Sequence, residues 1–296
     1  MRLKYFLLLI ALSVLALLHA AQNSSLFRSR VDLVEVSFVV TDDSGRYISG
    51  LRPDDLRVFQ DGRQQNIRSF LDASTAAPDD DKAAASIYIL FDTSSNNYTS
   101  FPQTEDSIAA FIRSVRPCDE IAINTFSRNL TRLSPLSADK NLTLHNLRQA
   151  SAGDQTALYN AILLTVLDAA KVPGRKSIVV FSNGPDDWSA LSPEDVGRVA
   201  EREGVPIYLF SRGKESAETH EEMELLASRT GGKVYCARTS GEQTAAFTAV
   251  KNDLGHTYLL TYSPQENPDR GFHKIDLKVS DRDHCHFRAR TGYTVN

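Results

Sequence analysis

Ser86-Ile87-Tyr88-Ile89-Leu90-Phe91-Asp92-Thr93-Ser94-Ser95-Asn96 is the stretch whose reading decides the fold. Its apolar run has no polar alternation and empties abruptly into a carboxylate and a cluster of small oxygen-bearing side chains. A run without alternation is the pattern of a strand covered on both faces, as in parallel sheets, and ligands on such sheets gather beyond the carboxyl ends of the strands. Asp92, Ser94 and Asn96 are therefore the first candidate site residues.

Downstream of this strand the texture alternates. Thr104 to Arg116 carries Ile108, Phe111, Ile112 and Val115 at helical spacing, and Glu120 to Phe126 reads as a second strand. Lys140 to Ala150 and Thr156 to Ala170 read as helices. Ser177 to Phe181 is another bare apolar strand, ending in the polar loop Ser182-Asn183-Gly184-Pro185-Asp186-Asp187. A helix opened by Ser192-Pro193-Glu194 follows, then strand Val205 to Phe210, helix Glu218 to Arg229, short strand Lys233 to Tyr235 and helix Glu242 to Leu254. Such alternation predicts an α/β fold: a doubly wound, mostly parallel sheet flanked by helices, over residues 86–255.

Both flanks of this block are β-rich. Val31 to Val40 and Leu56 to Phe70 have strand character, with Asp61-Gly62 marking a hairpin, and residues 22–72 form the first β-rich segment. Residues 73–85, rich in Ala, Ser, Thr, Pro and Asp, read as a linker. His256 to Tyr262, His273 to Ser280 and His286 to Gly292 return to strand texture in the second segment, 256–296. Neither flank is large enough to stand alone, so 256–296 is expected to pair with 31–71 in one small sandwich, with the α/β domain inserted between them.

The chain has 296 residues, 42% hydrophobic and 24% charged, ample for a folded core. Arg2 and Lys4 precede an apolar run from Tyr5 to Leu18, followed by Ala20 and Ala21, so residues 1–21 read as a secretory signal peptide rather than a retained anchor. Its removal takes Arg2 and Lys4 and moves the formal charge from −4 to −6. An acidic chain without a basic stripe is a poor nucleic-acid binder. The expected location is secreted or periplasmic, with no stable membrane span after cleavage. Cys118, Cys236 and Cys285 could pair there, but an odd number leaves one thiol unmatched.

Three loops at the carboxyl edge of the predicted sheet carry oxygen ligands: Asp92 to Asn96, Gly153-Asp154-Gln155-Thr156, and Ser182 to Asp187. On these motifs residues 85–255 resemble the von Willebrand factor type A family. Thr156-Ala157-Leu158-Tyr159-Asn160-Ala161-Ile162 looks especially like exported bacterial members. The family's metal-ion-dependent adhesion site uses Asp-x-Ser-x-Ser, a Thr opening a helix, and an Asp after the fourth strand. Asp92, Ser94 and Thr156 match this pattern, whereas Asn96 replaces the second Ser and Asn183 the second Asp. The resemblance implies a hard divalent cation, usually Mg²⁺, completed by a partner's acidic side chain. The two Asn offer carbonyl oxygens without charge, and affinity for such ions follows ligand charge, so a degenerate site with weak or no Mg²⁺ binding is expected. Asp92, Ser94, Asn96, Thr156 and Asn183 are the expected metal residues, and with Asp186 they form the expected partner-binding face.

Each of these residues also has a purely structural reading. Asp92 could cap a turn, Thr156 could cap a helix, Asn183-Gly184 could simply turn, and Asp186-Asp187 could be a solvated loop. His284 and His286 alternate onto one face of a strand, but no third zinc ligand is near them in sequence. His220-Glu221-Glu222-Met223-Glu224 lacks the second His of a zinc protease helix, no Gly-x-Ser-x-Gly surrounds a nucleophile, and Gly231-Gly232-Lys233 is not a phosphate loop. Glycosylation sequons fall at Asn23, Asn97, Asn129 and Asn141. The expectation is a non-enzymatic, exported protein-binding or adhesion module. A scaffold subunit with an inert site is the alternative, and a metal-dependent hydrolase the least favoured reading.

Overall fold

The computed structural model describes residues 33–182, 186–211, 216–264, 269–280 and 284–295. The signal-peptide and anchor readings therefore lie outside the described residues. No described helix is long and apolar enough to cross a membrane.

The centre of the molecule is a six-stranded sheet. Its strands are β5 (Ala85–Asp92), β6 (Glu120–Phe126), β7 (Leu130–Ser137), β8 (Arg175–Phe181), β9 (Ile207–Ser211) and β10 (Lys233–Cys236), in spatial order β10-β9-β8-β5-β6-β7. All pairs are parallel except β6–β7. Every residue of β5 is buried, the physical meaning of its unbroken apolar run. Period-two alternation then divides it between two cores. Ile87, Ile89 and Phe91 pack with Ile108, Phe111 and Ile112 of helix α1 (Phe101–Ser114) and with Phe247 and Val250 of α6 (Ser240–Gly255). Tyr88 and Leu90 pack on the other side with Leu158, Ile162 and Val166 of α3 (Leu158–Ala169), and with residues of α4 (Pro193–Glu203) and α5 (Ala217–Thr230). The short α2 (Lys140–Leu147) follows β7. This is the doubly wound, mostly parallel α/β sheet.

The β7 strand escaped the sequence reading. Its sequence, Leu130-Thr-Arg-Leu-Ser-Pro-Leu-Ser, holds a proline that cannot donate to a ladder, which suits an edge, and its register against β6 is irregular. Other boundaries moved for identifiable reasons. The run Arg63 to Phe70 is split into β3 (Arg63–Gln65) and β4 (Ile67–Asp72), which lie in different sheets, and His286 to Gly292 is split into β13 (His286–Ala289) and β14 (Gly292–Val295) in the same way. The Asp61-Gly62 turn is built as two successive left-handed residues, φ 51° and 79°, the requirement of a tight hairpin between β2 (Leu56–Gln60) and β3.

The flanking strands form two further four-stranded antiparallel sheets. One has the order β13-β1-β11-β4, where β1 is Val34–Thr41 and β11 is Tyr258–Tyr262; the other is β14-β12-β2-β3, where β12 is Gly271–Val279. Each sheet mixes strands from both ends of the chain. They share one core, in which Val36, Phe38, Val58, Tyr258, Leu260, Tyr262 and Ile275 are buried. Residues 73–85 are more than a linker. Ala73 and Ala83 are buried, and the Arg116 guanidinium donates to the carbonyls of Ala73, Ala77 and Ala83. Its length satisfies backbone acceptors that the composition alone left unassigned.

The sandwich is fastened to the α/β part by basic side chains, of which Arg290 and Lys176 are buried and Arg288 half-buried. Arg290 donates to the carbonyls of Glu201, Arg202 and Glu35, Arg288 pairs with Asp253 and donates to Gly231 O, and Lys176 Nζ lies 3.1 Å from Glu35. No disulfide joins the three cysteines, all of them described: Cys118 is buried, Cys285 half-buried and Cys236 exposed.

Candidate functional site

The chain begins its sheet at β5, runs outward through β6 and β7, and returns to β8 on the opposite side. The loops after β5 and β8 consequently diverge at adjacent strands, and this switch point is where an open α/β sheet forms its crevice. Asp92 ends β5 and Ser182 follows β8. Both are buried, and the Ser182 hydroxyl donates to Asp92 Oδ2 at 2.7 Å. Asp92 Oδ1 accepts the Ser94 backbone N–H at 2.9 Å. The Thr156 hydroxyl donates to Ser94 Oγ at 2.7 Å. Three of the sequence-predicted residues, Asp92, Ser94 and Thr156, thus meet in one hydrogen-bonded cluster with no solvent exposure. Ser182 is a fourth member that the sequence reading passed over, although it heads the third polar loop.

Backbone bonds hold the loops in place. Gly153 N–H donates to Thr93 O and Ser95 N–H to Asp154 O, both at 2.7 Å, while Ala157 N–H donates to Ser127 O. A Cβ at Gly153 would stand 2.3 Å from Ser127 Oγ, so this close approach depends on glycine. Asp154 does not join the cluster through its carboxylate, which lies 3.3 Å from Arg128. Asn97, a glycosylation sequon, is fully buried and donates through Nδ2 to Asp92 O, which leaves that amide in the interior. Asn96 lies in the short helical segment Ser95–Ser100, but its side chain and the whole of Asn183 fall outside the described residues.

The loop after β8 caps α3. Asp187 Oδ1 accepts Thr156 N–H at 2.8 Å, Asp186 Oδ2 accepts Tyr159 N–H at 2.9 Å, and Ser189 Oγ accepts Asn160 N–H. Asp186 Oδ1 also accepts the N–H groups of Trp188 and Ser189. Helix α3 has no side-chain cap from its own N-cap residue, Ala157, so Asp186 and Ser189 take over two of its first N–H groups, while Asp187 holds the turn just before it, and both acids complement its dipole. They are structural acids in a loop that stays partly solvated, Asp187 exposed and Asp186 half-buried. Burial and then the Glu222 carboxylate, to which the phenol donates at 2.9 Å, push the Tyr159 pKa well above the usual phenol range. Tyr159 therefore acts as a neutral donor.

A divalent ion such as Mg²⁺ asks for about six oxygens in octahedral array with charge among them. Asp92, Ser94, Thr156 and Ser182 offer one carboxylate, and its two oxygens already accept hydrogen bonds from within the cluster. Asp186 and Asp187 are turned to the start of α3. The described residues fit a hydrogen-bonded polar cluster better than a dication shell. Elsewhere, among the described residues, no group of three or more His, Cys, Asp or Glu gathers as a metal site. His284 and His286 each face a different oxygen of Asp43, at 3.0 and 2.9 Å.

Around the buried cluster stand larger side chains. Tyr98, next to Asn97, and Trp188, next to the capping acids, are among the exposed large apolar residues. The Arg128 guanidinium stacks 4.4 Å from the Trp188 ring centroid and donates to Gln155. Aromatic residues and Arg are the types enriched at protein-binding hot spots. Sequence periodicity gives no signal for them, because each sits in a loop or single turn.

No family model matches the chain. Two curated relatives do, both described as UPF0353 protein: one from Mycolicibacterium paratuberculosis, 23% identical over 177 residues, and one from Nocardia farcinica, 27% identical over 147 residues. The matches cover 51% and 40% of this chain, and 54% and 44% of those proteins, so the chain spans about half the length of the relatives it matches. Among solved structures, a von Willebrand factor type A protein from Catenulispora acidiphila superposes with a TM-score of 0.53 over 90% of this chain and 74% of its own, at 11% identity. The α/β part of this chain has the von Willebrand factor type A fold.

Proposed function

We propose, taking the von Willebrand factor type A fold as premise, that this chain is an exported, non-enzymatic protein-binding module that engages its partner at the carboxyl edge of the six-stranded sheet. The observation that carries this reading is the convergence of three separate loops on Asp92, Ser94 and Thr156, with Tyr98, Arg128 and Trp188 around them. In this proposal the edge binds rather than reacts. It offers exposed aromatic rings and a cation on loops that the buried polar cluster holds in place, the means by which a protein surface is held. Arg128 suits a partner's acidic side chain, the role a metal plays in intact sites of this fold. Mg²⁺ binding is weak or absent in this proposal, since the cluster supplies a single carboxylate.

Two measurements test it. Titration of the full chain with Mg²⁺ and Mn²⁺, read by melting temperature and calorimetry, is expected to give no shift at micromolar metal; a tight, stabilising interaction would refute the degenerate-site reading. Tagged protein incubated with the exported fraction of the source cells should retain a partner that Trp188→Ala and Arg128→Ala variants lose. Retention unchanged in both variants would remove the binding-face reading and favour an assembly subunit that uses its helix faces or β edges.

A further inference from the structure

Where the amino-terminal ends of the central strands meet the sandwich, a small cavity lies among Ser37 of β1, Arg175 and Ser177 of β8, Tyr208 of β9, Leu254 and Thr257. It admits about 10 Å³, close to the least space that holds one water or an ion of that size. Arg175 and Ser177 are two residues apart on a strand and so share a face. They are 4% and 1% exposed.

The polar atoms there are incompletely satisfied. Arg175 Nη1 and Nη2 donate to the carbonyls of Ala83 and Leu254, while Arg175 Nε and Ser177 Oγ have no hydrogen-bond partner among the described residues. The charge is unbalanced as well, because both partners of the guanidinium are neutral carbonyls. Asp119 is the acid whose field most supports Arg175, yet its two oxygens accept the backbone N–H groups of Ala85 and Arg116. The neighbouring cation, Lys176, has Glu35 as its own carboxylate. Burial accordingly draws the Arg175 pKa down to about 10. A buried charge without a counter-charge is costly, and an orphaned buried donor adds to that cost.

We propose that this cavity binds a small monovalent anion of the halide class, which accepts hydrogen bonds from Arg175 Nε and Ser177 Oγ. A water would satisfy the two donors but leave the guanidinium charge uncompensated; a halide does both. Sulfate and carboxylates exceed the space. Because the lining comes from β1 and Thr257 on one side and from β8, β9 and α6 on the other, the ion ties the sandwich to the α/β part and stabilises both by mass action.

The full chain should be unfolded thermally in sodium chloride, bromide, sulfate and gluconate at matched ionic strength, and a crystal soaked in sodium bromide should be examined at the bromine absorption edge. An anomalous peak in contact with Arg175 Nε and Ser177 Oγ is expected. So is a halide-specific rise in melting temperature, about 3–5 °C at ten times the dissociation constant. Ser177→Ala removes one of the two donors without adding volume and should abolish most of that rise, whereas Gly255→Ala, whose added Cβ meets nothing within 4 Å, should keep it. A cavity holding water alone, or a melting temperature that follows ionic strength regardless of the anion, would overturn the proposal.

Discussion

Asp92 is the residue on which the organisation of the sheet edge can be tested most directly. It is fully buried, and its two oxygens accept the Ser94 N–H at 2.9 Å and the Ser182 hydroxyl at 2.7 Å. Asp92→Ala strands at least these two donors in a place that excludes water. At about 1–3 kcal/mol per orphaned buried group, the loss should be roughly 2–5 kcal/mol. For a folded unit of this size that corresponds to a fall in melting temperature of about 5–15 °C. Asp92→Asn is the informative companion. Its Oδ1 can still accept the Ser94 N–H, and its Nδ2 faces the Ser182 oxygen, which can accept in turn. Only the charge-assisted share is lost, on the order of 1 kcal/mol. Urea unfolding followed by circular dichroism gives both differences, provided the slope against denaturant is unchanged. If Asp92→Ala costs less than about 1 kcal/mol, or Asn costs as much as Ala, the cluster does not hold the edge together in the manner described.

Two other predictions follow from local geometry. Both ring nitrogens of His273 face acceptors, Asp61 Oδ2 and Asp269 O, each at 2.7 Å. Burial disfavours the charged ring, but the Asp269 carbonyl and the Asp61 carboxylate outweigh it and raise the pKa. Since the folded value lies above the unfolded one, this contribution is complete below about pH 6.5 and fades as pH rises through the folded pKa. His273→Ala should therefore flatten the decline in stability above neutral pH, measured by urea unfolding across a pH series; an unaltered slope would refute the role. At Gly232 an added Cβ would lie 1.8 Å from Ile207 O, so Gly232→Ala must displace β9 backbone and should cost about 3 kcal/mol or more, where Gly255→Ala should cost nothing measurable by the same assay.

Much of the fold was legible because its signals are local. The apolar run of β5 had no reading other than a strand buried on both faces, and the helical spacing of Ile108, Phe111 and Ile112 fixed the inward face of α1. The strand–helix alternation over 86–255 then gave the α/β architecture, and the resemblance of the loops to the von Willebrand factor type A pattern agreed with it. What escaped the sequence depended on remote partners. β7, with its proline, becomes a strand because β6 offers it an edge. The split of 63–70 is decided by the register of β4 against β11, nearly two hundred residues away. The linker is pinned by Arg116, whose partners no local pattern reveals.

The candidate site divides along the same line. Sequence pattern placed Asp92 and Ser94 at the sheet's carboxyl edge, because polar residues just after a buried strand lie there, and the family resemblance added Thr156. The substitutions Asn96 and Asn183 for charged or hydroxylic residues were equally visible, since charge count is a property of composition. Only the tertiary structure decided that Ser182 closes the cluster on Asp92, that Asp186 and Asp187 belong to the start of α3, and that Arg128 stacks on Trp188. Residue types and periodicity set which side chains are buried and which edge they reach. Hydrogen-bond partners are chosen only when the strand order places β8 beside β5, because these bonds act over about 3 Å while their members lie as far as 90 residues apart in the chain.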